Sequence, residues 1–299
     1  MSTPRFLYHA SAVGLSGEIR RPFQQRIDSQ AATALPRWGG HAAARIKSFD
    51  LGGVVGHTGV ATELTGAYQV QSNSFETTAV ASVTGLNLEG VLTAGVLTAS
   101  IHSSHPVTAS GKAPSKSAKR SKRAAPPVEP SISIAGTAIK DLVIAGRPID
   151  LEPILDISTE FPTTMSGLRA YYKGNRKFRD DFESCSYVAQ EGALPEDVRM
   201  FFPWRRYKKS TELHERNGLT IIPLYRVKNP SAPGFEVYGN VIKVANFGRV
   251  HIGELIIESN RRRLLMLYAD LGSPCEGNVL SGCVDGNGTD PPPPDGDKQ

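Results

Sequence analysis

No stretch of about 18 apolar residues occurs anywhere in the chain, so no membrane-spanning helix is expected. Cysteine is scarce: Cys185, Cys275 and Cys283 are the only three in 299 residues. Three is too few for a disulfide scaffold and odd for a fully paired secreted chain. Cys275 and Cys283 flank the segment PCEGNVLSGC and are the candidate disulfide; ordinary thiols are the other reading. Their spacing lacks the CxxC of a zinc knuckle. The N-terminal MSTPRFLYHASAVGLSGEIRR lacks a secretory pattern, because His9, Ser11, Gly14 and Glu18 dilute its apolar residues. On these features alone the default location is the cytoplasm.

Catalytic and cofactor motifs are also missing. LGGVVGHTG lacks the GxGxxG order, and no GxxxxGK[ST] phosphate loop exists. His41, His57, His214 and His251 are scattered, and neither HTGV nor LHER matches a nucleophile elbow or HExxH. His102 and His105 in HSSH would point to opposite sides of a strand, which disfavours joint metal binding. DGNGTD at 285–290 starts like a calcium loop, but its sixth and twelfth positions are Asp290 and Gly296 rather than Gly and Glu. No cofactor and no metal are expected. A hydrolase would need a site dispersed along the chain.

Turn residues are abundant. The chain has 29 Gly and 21 Pro, about one residue in six, against an average of roughly 12%. In SVTGLNLEGVLTAGVLTASIHSS, Ser82–Ser104, three glycines within eleven residues would cost a helix roughly 3 kcal/mol. Val and Thr favour a pleated surface instead. The segment therefore reads as short strands separated by glycine bends. AYQVQSNSFETTAVASV upstream reads as two alternating runs about an SNS turn. Residues 131–147, SISIAGTAIKDLVIAGR, repeat the same grammar, and 240–259 echo it more loosely. Recurrent strand units are expected to stack or pair, each covering its neighbour's apolar side. The fold class that follows is mainly β, an antiparallel sandwich or partly coiled sheet with an inserted charged α or irregular region.

One β-rich domain is expected over 1–272. A basic loop at 106–130, expected to be disordered, interrupts it, and so does a charged insertion at 150–216. PEDVRMFF within that insertion resembles a helix start. Strands resume after residue 217, with SNRRR as a hairpin turn. Residues 273–299 read as a Cys-flanked loop followed by a disordered acidic Pro/Gly tail.

The segments ALPRWGGHAAARIKSFDLGGVV, TELTGAYQVQSNSFETTAVASVTGLNLEGVLTAGVLTASI and SISIAGTAIKDLVIAGRPI resemble the uncharacterised bacterial β-rich domain of the choice-of-anchor type surface proteins. The resemblance covers roughly residues 34–150 and, loosely, 217–272. It rests on packing and turn residues. It implies an extracellular or surface β domain of unknown activity, although the chain departs from the pattern in its missing leader, basic loop and charged insertion.

Charge is uneven rather than large: 34 Lys and Arg against 29 Asp and Glu, a net +5. The cationic residues Lys112, Lys116, Lys119, Arg120, Lys122 and Arg123 fall in the basic loop. FFPWRRYKK adds Arg205, Arg206, Lys208 and Lys209, interleaved with Trp204 and Tyr207. LRAYYKGNRKFR adds Arg176 and Lys177 beside Tyr171 and Tyr172. Interleaved cations and aromatics can stack bases while neutralising phosphates; equally, the aromatics can pack and the cationic stems cover them. The leading expectation is a non-enzymatic structural or binding module, with a protein partner or a second copy as its candidate partner. Behind it stands a polyanion binder that uses these segments for weak nucleic-acid or anionic-glycan contact, and then the dispersed hydrolase.

Overall fold

A computed structural model describes residues 6–107, 129–155, 163–185, 220–228, 233–257, 262–272 and 274–289. The first half forms β1 (Leu7–Arg21), β2 (Gln25–Gln30), β3 (Thr33–Ala34), β4 (Gly40–Ile46), β5 (Phe49–Leu51), β6 (Val55–His57), β7 (Gly59–Gln69), β8 (Ser74–Leu88) and β9 (Leu92–Pro106). Short strands follow: β10 (Ser131–Ser133), β11 (Ala138–Lys140), β12 (Val143–Ile144), β13 (Arg147–Pro148) and β14 (Leu151–Pro153). Then come helices α1 (Met165–Gly174) and α2 (Arg176–Cys185). The chain continues through β15 (Thr220–Pro223), β16 (Tyr225–Val227), β17 (Phe235–Tyr238), β18 (Val241–Val244), β19 (Gly248–Ile257), β20 (Arg262–Leu271) and β21 (Glu276–Thr289).

Two large antiparallel sheets pack face to face as an unclosed sandwich. One, sheet A, runs β17-β18-β19-β20-β21-β1-β2, with β15 also on β19 and β3 on β1. Sheet B is built on β8, with β9 on one side and β7 and β6 on the other; β4 extends β7, and β10, β11 and β12 line β9. Across the sandwich β1, β20 and β21 meet β7, β8 and β9. Period-two burial explains why. Tyr8, Ala10 and Ala12 of β1 point inward, as do Ala79, Ala81 and Val83 of β8 and Leu97, Ala99 and Ile101 of β9. Each fully buried Leu or Ile contributes about 1.5–3 kcal/mol by leaving water.

The glycine-punctuated segment at Ser82–Ser104 is a single long hairpin, not a set of short strands. Its turn lies at Glu89 and Gly90, both left-handed (φ 56° and 66°), and the Asn87 side chain accepts the Gly90 N–H at 2.9 Å. Gly85 and Gly95 do not end the strands. They lie opposite one another between the pairs Thr84↔Val96 and Leu86↔Ala94. The buried positions of β8 change there from odd residues (Ala79, Ala81, Val83) to even ones (Leu86, Leu88). Gly85, at φ 59°, takes up that change in a conformation that a side chain would strain.

The first two of the repeated units pair, the third pairs with neither, and none covers another. β10, β11 and β12, from 131–147, extend sheet B beside β9, while β18 and β19 belong to sheet A. The apolar side of β8–β9 is covered instead by β1, β20 and β21. Within the stretch that reads as a loop and tail, Glu276–Thr289 form β21, at the centre of sheet A between β20 and β1, and 290–299 lie outside the described residues. This also removes the candidate disulfide: Cys275 and Cys283 are buried thiols, not joined by a disulfide. Eight residues of nearly extended chain separate them by roughly 26 Å, against a limit of about 7 Å between bridged Cα atoms. Burial and the neighbouring Glu89 carboxylate push the Cys275 thiol up to about 11, so it stays protonated and a poor nucleophile at neutral pH.

The charged insertion contributes α1 and α2. Thr164 Oγ1 caps α1 by accepting the Gly167 N–H at 3.1 Å, and Asn175 Oδ1 accepts the Phe178 N–H at 2.9 Å at the start of α2. Leu168 and Tyr172 lie one turn apart, as do Phe178 and Phe182, and all four are buried. The Tyr172 and Phe182 rings meet edge-on at 5.6 Å. The helix expected at PEDVRMFF lies outside the described residues. Arg262 and Arg263 of the expected RRR turn begin β20, and 258–261 lie outside the described residues.

His57 is 4% exposed, stacks on Phe49 at 5.9 Å, and neither ring nitrogen has a hydrogen-bond partner among the described residues. Burial pushes its pKa below the ordinary 6.5. Between its folded value and 6.5 the unfolded chain binds more protons, so this residue's contribution to stability falls as pH drops through that window. Burial pushes the carboxyls of Glu89 and Asp270 the other way. The expected result is therefore differential: His57→Phe loses less stability than wild type between neutral pH and the folded-state pKa. Parallel denaturant melts across that range check it, and parallel curves would reject it.

Candidate functional site

The outward face of sheet A carries a row of polar side chains that the strand register lines up. Arg26 of β2 lies opposite Glu18 of β1, Glu18 opposite Asn278 of β21, and Asn278 opposite Asp270 of β20. The row continues from Asp270 to Arg249 of β19, to Lys243 of β18, and to Glu236 of β17. It crosses seven strands with charges of both signs. Arg249 pairs with Asp270 at 3.5 Å and Lys243 with Glu236 at 3.6 Å. Burial pushes the Asp270 carboxyl up, while Arg249 and Arg20 pull it back. Burial and the adjacent Asp270 push the Tyr268 hydroxyl up to about 12.

At the β2 end of this row the surface opens into a groove of about 560 Å³ lined by Ser16, Gly17, Glu18, Gln24, Arg26, Ile27, Ser29 and Asn278. Its volume falls within the range of small-molecule sites. Three strands build it. Ser16 and Glu18 stand two residues apart on β1 and so share a face. Arg26 and Asn278 reach it from β2 and β21 on either side. Phe23, next to Gln24 in the connecting turn, is 39% exposed. The groove offers a guanidinium, a carboxylate, two amides and two hydroxyls, hence donors and acceptors in near balance.

A second polar group lies toward the other side of sheet A and is buried. β18 and β15 pair with the same edge of β19 on either side of Gly253, whose φ is 56° and against which the Tyr225 ring packs. Asn240 fills the break. Its carbonyl accepts the Ile252 N–H at 3.0 Å. Its Nδ2 donates to the Ile252 carbonyl at 3.2 Å and to Glu254 Oε1 at 3.0 Å. Asn240, His251 and Glu254 are each at most 2% exposed. His251 Nδ1 stands 3.9 Å from Glu254 Oε1, beyond hydrogen-bonding distance. This group joins strands; it presents nothing to solvent.

The residues singled out from sequence divide sharply. Arg176 and Lys177 are exposed on α2, with Arg176 engaged by Asp180 at 3.5 Å. Tyr172 is buried, so it does not stack bases, and Tyr171 packs half-buried on Phe178 at 5.2 Å. In α1 and α2 these aromatics pack on one another. Lys112, Lys116, Lys119, Arg120, Lys122, Arg123, Trp204, Arg205, Arg206, Tyr207, Lys208 and Lys209 lie outside the described residues. His102 and His105 do point to opposite sides of β9. His102 bonds Thr78 Oγ1 at 3.0 Å on the outer face, and His105 lies 5.0 Å from the Phe6 ring. Among the described residues no three His, Cys, Asp or Glu side chains are placed to hold a metal, and no helix is long and apolar enough to cross a membrane.

Sequence reasoning missed the groove residues, because Glu18 and Asn278 are neighbours only through strand pairing. No curated protein and no solved structure shows significant similarity to this chain. One family model does match, over residues 6–258, from β1 to the end of β19, and its description is Domain of unknown function (DUF8256). With that match covering most of its length, the chain belongs to the DUF8256 family.

Proposed function

We propose that the protein is a non-enzymatic binding module and that the groove between β2, β1 and β21 is its ligand site. The observation that carries this reading is the convergence of Ser16, Glu18, Arg26 and Asn278 on one open groove from three hydrogen-bonded strands. Strand pairing fixes the backbone positions of these residues, so the outline of the groove is set before a ligand arrives. One cation and one anion in the same groove disfavour a polyanion, which Glu18 repels. They suit a neutral, hydroxyl-rich ligand of saccharide size, whose hydroxyls both donate and accept.

Calorimetric titration of the full chain with neutral oligosaccharides, chitotetraose and maltotetraose among them, tests this. Binding should weaken roughly ten- to a hundredfold in Arg26→Ala, the loss of one charge-assisted hydrogen bond. Asn278→Ala should weaken it less. Binding to heparin alone, with steep salt dependence, would instead favour the polyanion reading. Saccharide binding indifferent to both substitutions would remove the groove from consideration.

A further inference from the structure

Most sheet edges in this fold are blunted. β13 is two residues long and ends in Pro148, and β10, β11 and β12 are at most three residues long. β2 carries Arg26 and Asp28, and β17 follows Pro233 and Gly234. Short length, charge and proline are the usual guards against edge pairing. β4 has none of them in its middle. It is seven residues, GHAAARI, with β7 as its only partner among the described residues. Its inward side chains, Ala42, Ala44 and Ile46, are apolar and pack on the core, and Gly40, His41, Ala43 and Arg45 are exposed.

We infer that β4 pairs antiparallel with β4 of a second copy, about a two-fold axis at Ala43. The sequence is self-complementary in that register. Ala43 faces its own copy, Ala42 faces Ala44, His41 faces Arg45, and Gly40 faces Ile46. A Cβ placed on Gly40 meets nothing within 4 Å, which leaves room for the second copy's Ile46 on the inward face. On the outward face His41 Nε2 lies 3.3 Å from Glu63 Oε1, and that carboxylate is 59% exposed. Glu63 stands beside Ala43 in the next strand. The small side chains at Ala43 and its copy leave an open path for the second copy's Arg45 to reach Glu63. Charge, shape and backbone thus match under one symmetry operation, which is the requirement of an isologous interface. The two sandwiches would then share one continuous sheet.

Sedimentation velocity of the full chain over a concentration series tests the pairing. A reversible dimer is expected. Ala43→Lys sets two cations directly opposite each other and should weaken the dimer roughly tenfold while leaving the circular dichroism spectrum unchanged. Ala43→Cys should give a covalent dimer on mild oxidation, because facing Cβ atoms in a sheet lie about 5 Å apart. Ala67→Cys, exposed on β7 away from the axis, should not. A wild-type chain that is monomeric at every concentration overturns the inference. So does a dimer that tolerates Ala43→Lys and leaves Ala43→Cys uncrosslinked, and so does a monomer that binds an extended peptide along β4 instead.

Discussion

Gly17→Ala is expected to destabilise the protein by about 3–5 kcal/mol, a size reserved for clashes and buried defects that the fold cannot relax. A Cβ on Gly17 would lie 2.2 Å from the Asn278 carbonyl oxygen and 3.1 Å from the Val279 Cα. Both obstacles are backbone, so no rotamer change relieves them; β1 and β21 must move apart. Gly277 is the mirror case, with the Glu18 carbonyl oxygen at 2.2 Å and the Ile19 Cα at 2.9 Å. The two glycines therefore guard one close approach of the central strands, and the pair makes a sharper test than either alone. If each alanine forces the same separation, the double variant should cost clearly less than the sum of the singles. Additive costs would mean that the two contacts yield independently. Gly174→Ala is the control. It meets nothing within 4 Å, its φ is not left-handed, and a helical alanine there should be neutral or slightly stabilising. Denaturant unfolding of the four variants supplies the measurement. The same separation would pull Glu18 away from Asn278 and open the groove, so Gly17→Ala should also lose whatever ligand the groove holds.

That close approach marks the limit of what is legible in the sequence. Alternation of apolar and polar residues exposes the hairpins of β7, β8 and β9 and the strands β18 to β20, because each element pairs with a near neighbour in the chain. β1 and β21 pair across almost the whole length, Leu7 with Thr289, and no local pattern reports that. β21 also disguises itself. EGNVLSGCVDGNGT is rich in the residues that make turns, yet its glycines answer to packing. A Cβ on Gly286 would stand 3.2 Å from Ile101, and one on Gly288 would run into the Phe6 ring at 2.0 Å. The helices mislead in a different way. Tyr171 and Tyr172 invite a stacking reading because they sit among cations. The i, i+4 spacing of Leu168 with Tyr172 and of Phe178 with Phe182 already points to one buried face. The groove is invisible for the same reason as β21. Its polar residues are ordinary surface types until the register places strands from both ends of the chain side by side.

Asn240→Asp should also cost about 3–5 kcal/mol at neutral pH, and distinctly less near the pKa of a free carboxyl at about 4. The substitution keeps the shape of the side chain. It replaces the amide that donates to Glu254 at 3.0 Å by a second carboxyl, at a site no more than 2% exposed. Two carboxylates at that distance cannot both stay ionised out of water, so the folded variant takes up a proton that its unfolded chain, at neutral pH, does not hold. Folding coupled to proton uptake gains stability as pH falls, until the unfolded carboxyls are protonated as well. The variant's deficit should therefore shrink steadily with acidification. Asn240→Ala separates this effect from simple loss of contact: it removes the hydrogen bonds to Ile252 and Glu254, adds no acid, and should cost about 2 kcal/mol. The comparison also tests what holds β18 and β15 on one edge of β19. If Asn240 is that joint, both variants should raise amide exchange in β15 and β18 before the centre of sheet A responds. An Asn240→Asp chain as stable as wild type at neutral pH would mean that the second carboxylate is compensated where it stands, by water or by a cation such as a protonated His251 ring 3.9 Å from Glu254, and the uncompensated pair would have to be abandoned.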